Sequence, residues 1–274
     1  MPAPWSQRPE VPLQINGVAL EYACWGPPPD QAPTLVLLHE GLGCVALWKD
    51  LPDLLVAATG FGVLAYSRAG YGASDTTALP RPLNYMTIEA KDVVGAVLET
   101  VEVQNAILMG HSDGATIAAI YAGSVFDRRI RGIILLAPHF FTEPEGLAAI
   151  RAAGVAYEKG DLRARLGKYH TDVDVAFRGW HDAWTDPEFV DWNVTDVIDH
   201  WRVPALVIQG CKDPYGTLAQ IEEVSSRIYA PLETLIIQKC AHAPHVEKRK
   251  ETLAAVSEFC ATLHRLECQK VPLG

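Results

Sequence analysis

The sequence predicts an α/β fold with a mainly parallel sheet, and three observations carry that prediction. Six short runs nearly continuous in Val, Ile and Leu recur along the chain, at 32–38, 61–66, 105–110, 130–138, 203–210 and 232–238. Runs of this kind suit strands covered on both faces. Longer stretches with helical spacing separate them, near 47–58, 87–102, 114–125, 217–229 and 249–266. Regular strand–helix alternation implies right-handed crossovers between parallel strands. Ahead of all these, LQINGVALEYACWG (13–26) sets an Asn-Gly pair between two strand-like pieces, which predicts a leading hairpin.

Composition bounds the rest. The chain has 274 residues, 49% of them hydrophobic and 20% charged, so it is long enough to bury a large core without staples. Its formal net charge of −10 argues against nucleic acid or an anionic membrane as partner, because both need clustered Lys and Arg. The single basic run, Lys248-Arg249-Lys250, opens a helix-like stretch and is expected to be a solvated surface. Six cysteines are scattered without a CxxC pair, which suits reduced thiols better than a zinc site or a disulfide framework. The proline-rich start has no apolar run of the signal-peptide kind, and no stretch reaches the ~18 apolar residues of a membrane span. A cytoplasmic location is expected, and oligomeric state is left open.

Residues 142–200 break the rhythm, with no convincing strand and many aromatic residues. Within them DVDVAFRGWHDAW (172–184) repeats its apolar positions at helical spacing. The expectation is a helical insertion over the sheet at 142–200, between segments 1–141 and 201–274, which form one core domain. Its tryptophans, Trp180 and Trp184 among them, either pack internally or line a substrate pocket, and a roof over a pocket would do both.

The sharpest chemical signal is GHSDG, Gly110 to Gly114, between the run at 105–110 and a helix rich in small residues. G-x-S-x-G at a strand-to-helix junction is a nucleophile elbow. The turn is so tight that glycine is needed two residues either side, and it lifts the Ser112 hydroxyl over the sheet at a helix N-terminus. There free N–H groups favour a developing anion. Standing alone the pattern could be an ordinary glycine-rich turn. Serine also needs a base, and the base needs an orienting acid. Asp213 falls in the first turn after the run at 203–210, and His242 just after the run at 232–238. Both sit where open α/β sheets gather functional groups, past the carboxyl ends of strands. Separately, Asp213 could be a turn or capping residue and His242 an inert loop histidine. His245 competes as the base, a His242/His245 metal pair lacks a third ligand, and His111 is expected to point away across the elbow. His139 follows the run at 130–138 and faces either the pocket or the core.

With these residues in view the chain resembles the α/β-hydrolase superfamily over about residues 10–270. LLHEGLG matches the oxyanion loop, SRAGYGASD the loop after the fourth strand, GHSDG the elbow, IQGCKD the acid and CAHAPH the base. Within the superfamily it is most similar to cap-bearing serine esterases and carbon–carbon bond hydrolases. The resemblance implies an α/β-hydrolase fold with a mostly parallel eight-stranded sheet, helices on both faces, and a helical cap at 142–200 inserted after the sixth strand. It implies Ser112 as nucleophile, His242 as base, Asp213 as acid, and the backbone N–H groups of Gly41 and Asp113 as the oxyanion hole. It implies no cofactor and no metal. The Asp113 side chain is expected on the helix surface.

Two departures stand out. Ser67 occupies a position where relatives often carry Asp, and Glu40 replaces the second glycine of the His39 loop. Since an unpaired carboxylate near an oxyanion is costly, Arg68 with Ser67 is expected to hold the Glu40 carboxylate aside. The expected activity is hydrolysis of a small carboxylic ester or lactone through an acyl-enzyme. Carbon–carbon, amide or perhydrolase chemistry on the same three residues is the alternative, and non-catalytic ligand binding the remote one. Serine at 112 counts against epoxide hydrolase or dehalogenase chemistry, which need a carboxylate nucleophile.

Overall fold

The computed structural model describes residues 3–268. Residues 1–2 and 269–274, included in the expected core segments, lie outside it, as do the side chains of Glu267 and Cys268. The chain opens with β1 (Leu13–Ile15) and β2 (Val18–Leu20), antiparallel to each other. Asn16 and Gly17 between them both take positive φ, 53° and 83°, as a two-residue hairpin turn requires.

Among the described residues the main sheet has seven strands, in the order β3-β5-β4-β6-β7-β8-β9. These are Tyr22–Trp25, Gly62–Tyr66, Thr34–Leu38, Ala106–His111, Ile130–Leu136, Ala205–Gly210 and Leu232–Ile237 in that order. Only β3 runs antiparallel, against β5. The eight-stranded expectation is therefore corrected to seven. The leading hairpin forms its own small sheet because a loop, not a strand, covers β2. Asp75 accepts from the Ala19 N–H at 2.8 Å and returns its own N–H to the Ala19 carbonyl, while Ser74 Oγ accepts from the Glu21 N–H.

The continuous apolar runs are explained by burial on two faces. In β4, Val36 and Leu38 join one core cluster while Leu35 and Leu37 join the other. β8 divides likewise, Ala205 and Val207 against Leu206 and Ile208. Helices α1 (Leu51–Thr59) and α10 (Arg249–Cys268) cover the second face with Leu51, Leu55, Val256 and Phe259. The first face is covered by α4 (Asp113–Ser124) and by a continuous helical run. That run comprises α2 (Tyr85–Ile88), a π-helical stretch (Glu89–Val94) and α3 (Gly95–Thr100). A side chain such as Leu35 or Leu55, with no exposed surface, contributes roughly 1.5–3 kcal/mol.

Between β7 and β8 the chain forms α5 (Pro144–Lys159), α6 (Leu162–Leu166) and α7 (Val173–Thr185), then short 3₁₀ turns. Aromatic stacking joins α5 to α7, with Tyr157 and Phe177 centroids 3.7 Å apart and nearly parallel. Polar ties fix this segment to the sheet's loops. Glu143 accepts from the Thr217 N–H and hydroxyl and from Gln220. His170 accepts from the Gly72 N–H at Nδ1 and so donates from Nε2 to the Leu42 carbonyl at 3.0 Å. Last come α8 (Ala219–Arg227) after β8 and α9 (Pro244–Glu247) after β9.

Candidate active site

β6 ends at His111, α4 begins at Asp113, and Ser112 bends between them with φ 53° and ψ −120°. A non-glycine residue held there costs on the order of 1–3 kcal/mol, so the surroundings must impose it. They do so by close backbone approach. A side chain at Gly110 would run into the Gly114 carbonyl, and one at Gly114 into the Leu38 carbonyl. The Ser112 N–H is tied to the Leu136 carbonyl of β7 at 2.9 Å.

Past the end of β8, Asp213 is deeply buried and its carboxylate collects three donors. His242 Nδ1 lies 2.7 Å away, the Tyr215 N–H 2.8 Å and the Gln209 amide 3.0 Å. Because the carboxylate can only accept, the His242 proton sits on Nδ1 and Nε2 keeps its lone pair. Burial alone would raise the Asp213 carboxyl, but His242 and the Tyr215 N–H hold it below its ordinary value. Sequence reasoning missed Gln209; the sole signal was an amide inside an apolar run.

The other histidines separate by surroundings. His139 is buried, with its ring 5.4 Å from Trp184 and 5.7 Å from His242. His245 is buried against Trp48 and His111. Burial pushes both down to about 3, so each stays neutral. His111 does not point away across the elbow as expected, for it lines the same cavity as Ser112. Its Nε2 donates to the His242 carbonyl at 2.7 Å, and its Nδ1 lies 3.7 Å from Glu40 Oε2.

In the loop after β4, His39 accepts the Arg68 N–H at Nε2 and therefore donates from Nδ1 to the Glu40 carbonyl at 2.7 Å. Burial, reinforced by Arg68, lowers the His39 ring well below its ordinary value, as this neutral tautomer requires. Arg68 is almost fully buried and grips main chain, donating to the His39 carbonyl at 2.5 Å and the Glu40 carbonyl at 3.0 Å. The expected pairing of Arg68 with the Glu40 side chain is thus corrected. Ser67 is also engaged elsewhere, donating to Glu21 at 2.6 Å. The guanidinium's charge faces Asp113 and Glu89 instead. Asp113 in turn is fully buried, not on the helix surface. Its carboxylate accepts from the Tyr85 hydroxyl, which accepts from the Trp184 indole N–H at 2.9 Å. Burial raises the Asp113 carboxyl even though Arg68 and Tyr85 oppose the rise.

Several of these residues line one cavity of about 470 Å³. Its wall includes Glu40, Gly41, His111, Ser112, Asp113, His139 and His242 from the sheet's loops. Ile150, Arg165, Trp180 and Trp184 face it from α5, α6 and α7, and Leu42 and Tyr215 complete the apolar part. Gly41 has to be glycine here because a side chain would collide with the Trp180 indole. Neither the Gly41 N–H nor the Asp113 N–H is taken up by another group among the described residues. Ile150, Arg165, Tyr215 and Tyr85 carried no motif that pointed to the site.

Comparison with known proteins agrees with the architecture. The model of the alpha/beta hydrolase family matches residues 35–256, well over half the chain. Epoxide hydrolase B of Mycobacterium tuberculosis is 31% identical over 170 residues, covering 62% of this chain and 44% of that enzyme. The chain thus spans under half the length of that relative. Among solved structures, one from work on carboxylesterases of the thaumarchaeon Nitrososphaera gargenis superposes with a TM-score of 0.75 at 20% identity. That match covers 93% of this chain and 98% of the other. The enol-lactonase of Burkholderia xenovorans gives 0.71 at 21% identity, covering 91% and 99%.

Proposed function

The chain belongs to the alpha/beta hydrolase family, and on that premise we propose that it is a serine hydrolase of small carboxylic esters or lactones. One observation carries the reading. A serine on a positive-φ bend and a histidine bound to a buried aspartate border the same cavity. Ser112 Oγ attacks the ester carbonyl while His242 Nε2 takes its proton, and Asp213 steadies the resulting imidazolium. The tetrahedral oxyanion is held by the N–H groups of Gly41 and Asp113, each worth ~10²–10³ in turnover. The proton passes to the departing alkoxide, leaving an acyl-enzyme. Water then attacks with the same groups, releasing the acid and restoring Ser112.

Residues 142–200 serve as the cap in this reading, since their helices wall the cavity. Leu42, Ile150, Trp180, Trp184 and Tyr215 favour a small substrate with an apolar acyl or aryl part. Support from the similar structures is limited to the fold. Ser112 also sets this chain apart from epoxide opening, for which a carboxylate nucleophile is expected. Turnover of a panel of short-chain 4-nitrophenyl esters, simple lactones and diketones tests the assignment. Ester or lactone turnover lost in Ser112→Ala is expected. Diketone cleavage with esters untouched would replace this reading by carbon–carbon hydrolysis.

A further inference from the structure

Glu40 is the residue the mechanism leaves unexplained, a carboxylate next to an oxyanion donor. Its main chain is fixed on two sides, because its carbonyl accepts from both His39 and Arg68. Its carboxylate turns back over Gly43, where any side chain would collide with it. That turn carries Oε2 to 3.7 Å from His111 Nδ1. The His111 ring is 4% exposed and its Nδ1 has no hydrogen-bond partner among the described residues. Its other nitrogen faces the His242 carbonyl at 2.7 Å, an acceptor, so Nε2 carries a proton. At 3.7 Å the imidazole and the carboxylate are in contact range for a charge interaction and are not hydrogen bonded. The His245 ring packs against the same imidazole, 4.7 Å from it.

We propose that Glu40 and His111 form a positioning pair, in which the carboxylate of the oxyanion loop acts through the His111 ring to set where His242 stands. Asp213 holds the imidazole from the side of its ring, and His111 holds the same residue by its backbone carbonyl. Two loops that must act together, one carrying the Gly41 donor and one the base, are thereby joined across the elbow. The pair is dispensable for binding the acyl group and acts on the geometry of proton transfer. This inference rests on the serine hydrolase reading.

The test is a double-mutant cycle on Glu40→Ala and His111→Phe, with 4-nitrophenyl butyrate as substrate. Each single variant is expected to lower kcat by between about tenfold and about a hundredfold, the cost of a small misplacement of a reacting group. KM should stay within about twofold, since uniform binding is untouched. The combined variant should be no slower than the worse single one, because the two residues act as a unit. His111→Gln keeps an N–H for the His242 carbonyl and should recover part of kcat. Effects that multiply in the combined variant, or an unchanged kcat in the singles, would overturn the proposal. If the wild-type protein neither turns over esters nor takes up a fluorophosphonate at Ser112, the hydrolase reading fails by itself. The pair is then judged on urea unfolding midpoints of the same four proteins, where additive shifts overturn it and non-additive shifts support it.

Discussion

Asp213 shows how much one buried carboxylate is asked to do. It accepts from an imidazole, a backbone N–H and an amide, and the first of these hydrogen bonds puts a proton on His242 Nδ1. Asp213→Asn can present an N–H where His242 needs an acceptor, which favours the wrong tautomer. A fall in kcat on the order of 10⁴ is expected, measured by steady-state ester turnover with the fold checked by circular dichroism. Gln209→Leu removes one donor from that carboxylate while the other two remain, so a much smaller loss is expected. Acid sensitivity follows from His139 and His245, both held near 3 against an ordinary 6.5. Between those values the unfolded chain binds protons that the folded chain refuses. The stability they contribute is complete above about pH 6.5 and is lost progressively as pH falls toward 3. Urea midpoints measured from pH 7.5 to 5 should therefore decline, and His245→Phe should flatten part of that decline. A midpoint as high at pH 5 as at pH 7.5 would contradict the burial argument.

At the scale of elements, the junction of β6 with α4 depends on parts that are distant in sequence. Arg68, on the loop after β5, braces the main chain of the β4 loop and lies among the buried carboxyls of Asp113 and Glu89. Arg68→Leu leaves those groups without their cation, and removing one partner from such a buried arrangement costs roughly 3–5 kcal/mol. The expected outcome is a large drop in unfolding free energy or loss of folded protein. A variant as stable as the wild type would show that the carboxyls do not need the guanidinium. Tyr85 joins α7 to the elbow by accepting from Trp184 and donating to Asp113. Tyr85→Phe strands both groups in a dry interior, at about 1–3 kcal/mol, readable in the same unfolding experiment.

For the whole molecule, the parallel architecture was legible because a strand covered on both faces has no polar side to hide. The run at 32–38 shows it, feeding Leu35 and Leu37 to one core and Val36 and Leu38 to the other. The places of Ser112, Asp213 and His242 were legible because each follows directly on such a run. The pairing of side chains was not. Arg68 stands near Glu40 as expected, yet its guanidinium meets two carbonyls, a feature that residue type does not reveal. Asp113 begins a helix, where exposure is the ordinary expectation, but Tyr85 arrives from a separate segment and draws it inward. The strand count failed for a similar reason: the Ser74–Asp75 loop covers β2, and nothing local to β2 announces it.

The central claim is that Ser112 is a nucleophile activated by His242. Its most direct test is labelling with a fluorophosphonate followed by mass spectrometric mapping of the modified peptide. A single adduct on Ser112 is predicted, absent in Ser112→Ala and formed far more slowly in His242→Ala. An unlabelled Ser112 in folded wild-type protein, or an equal rate in His242→Ala, would contradict it.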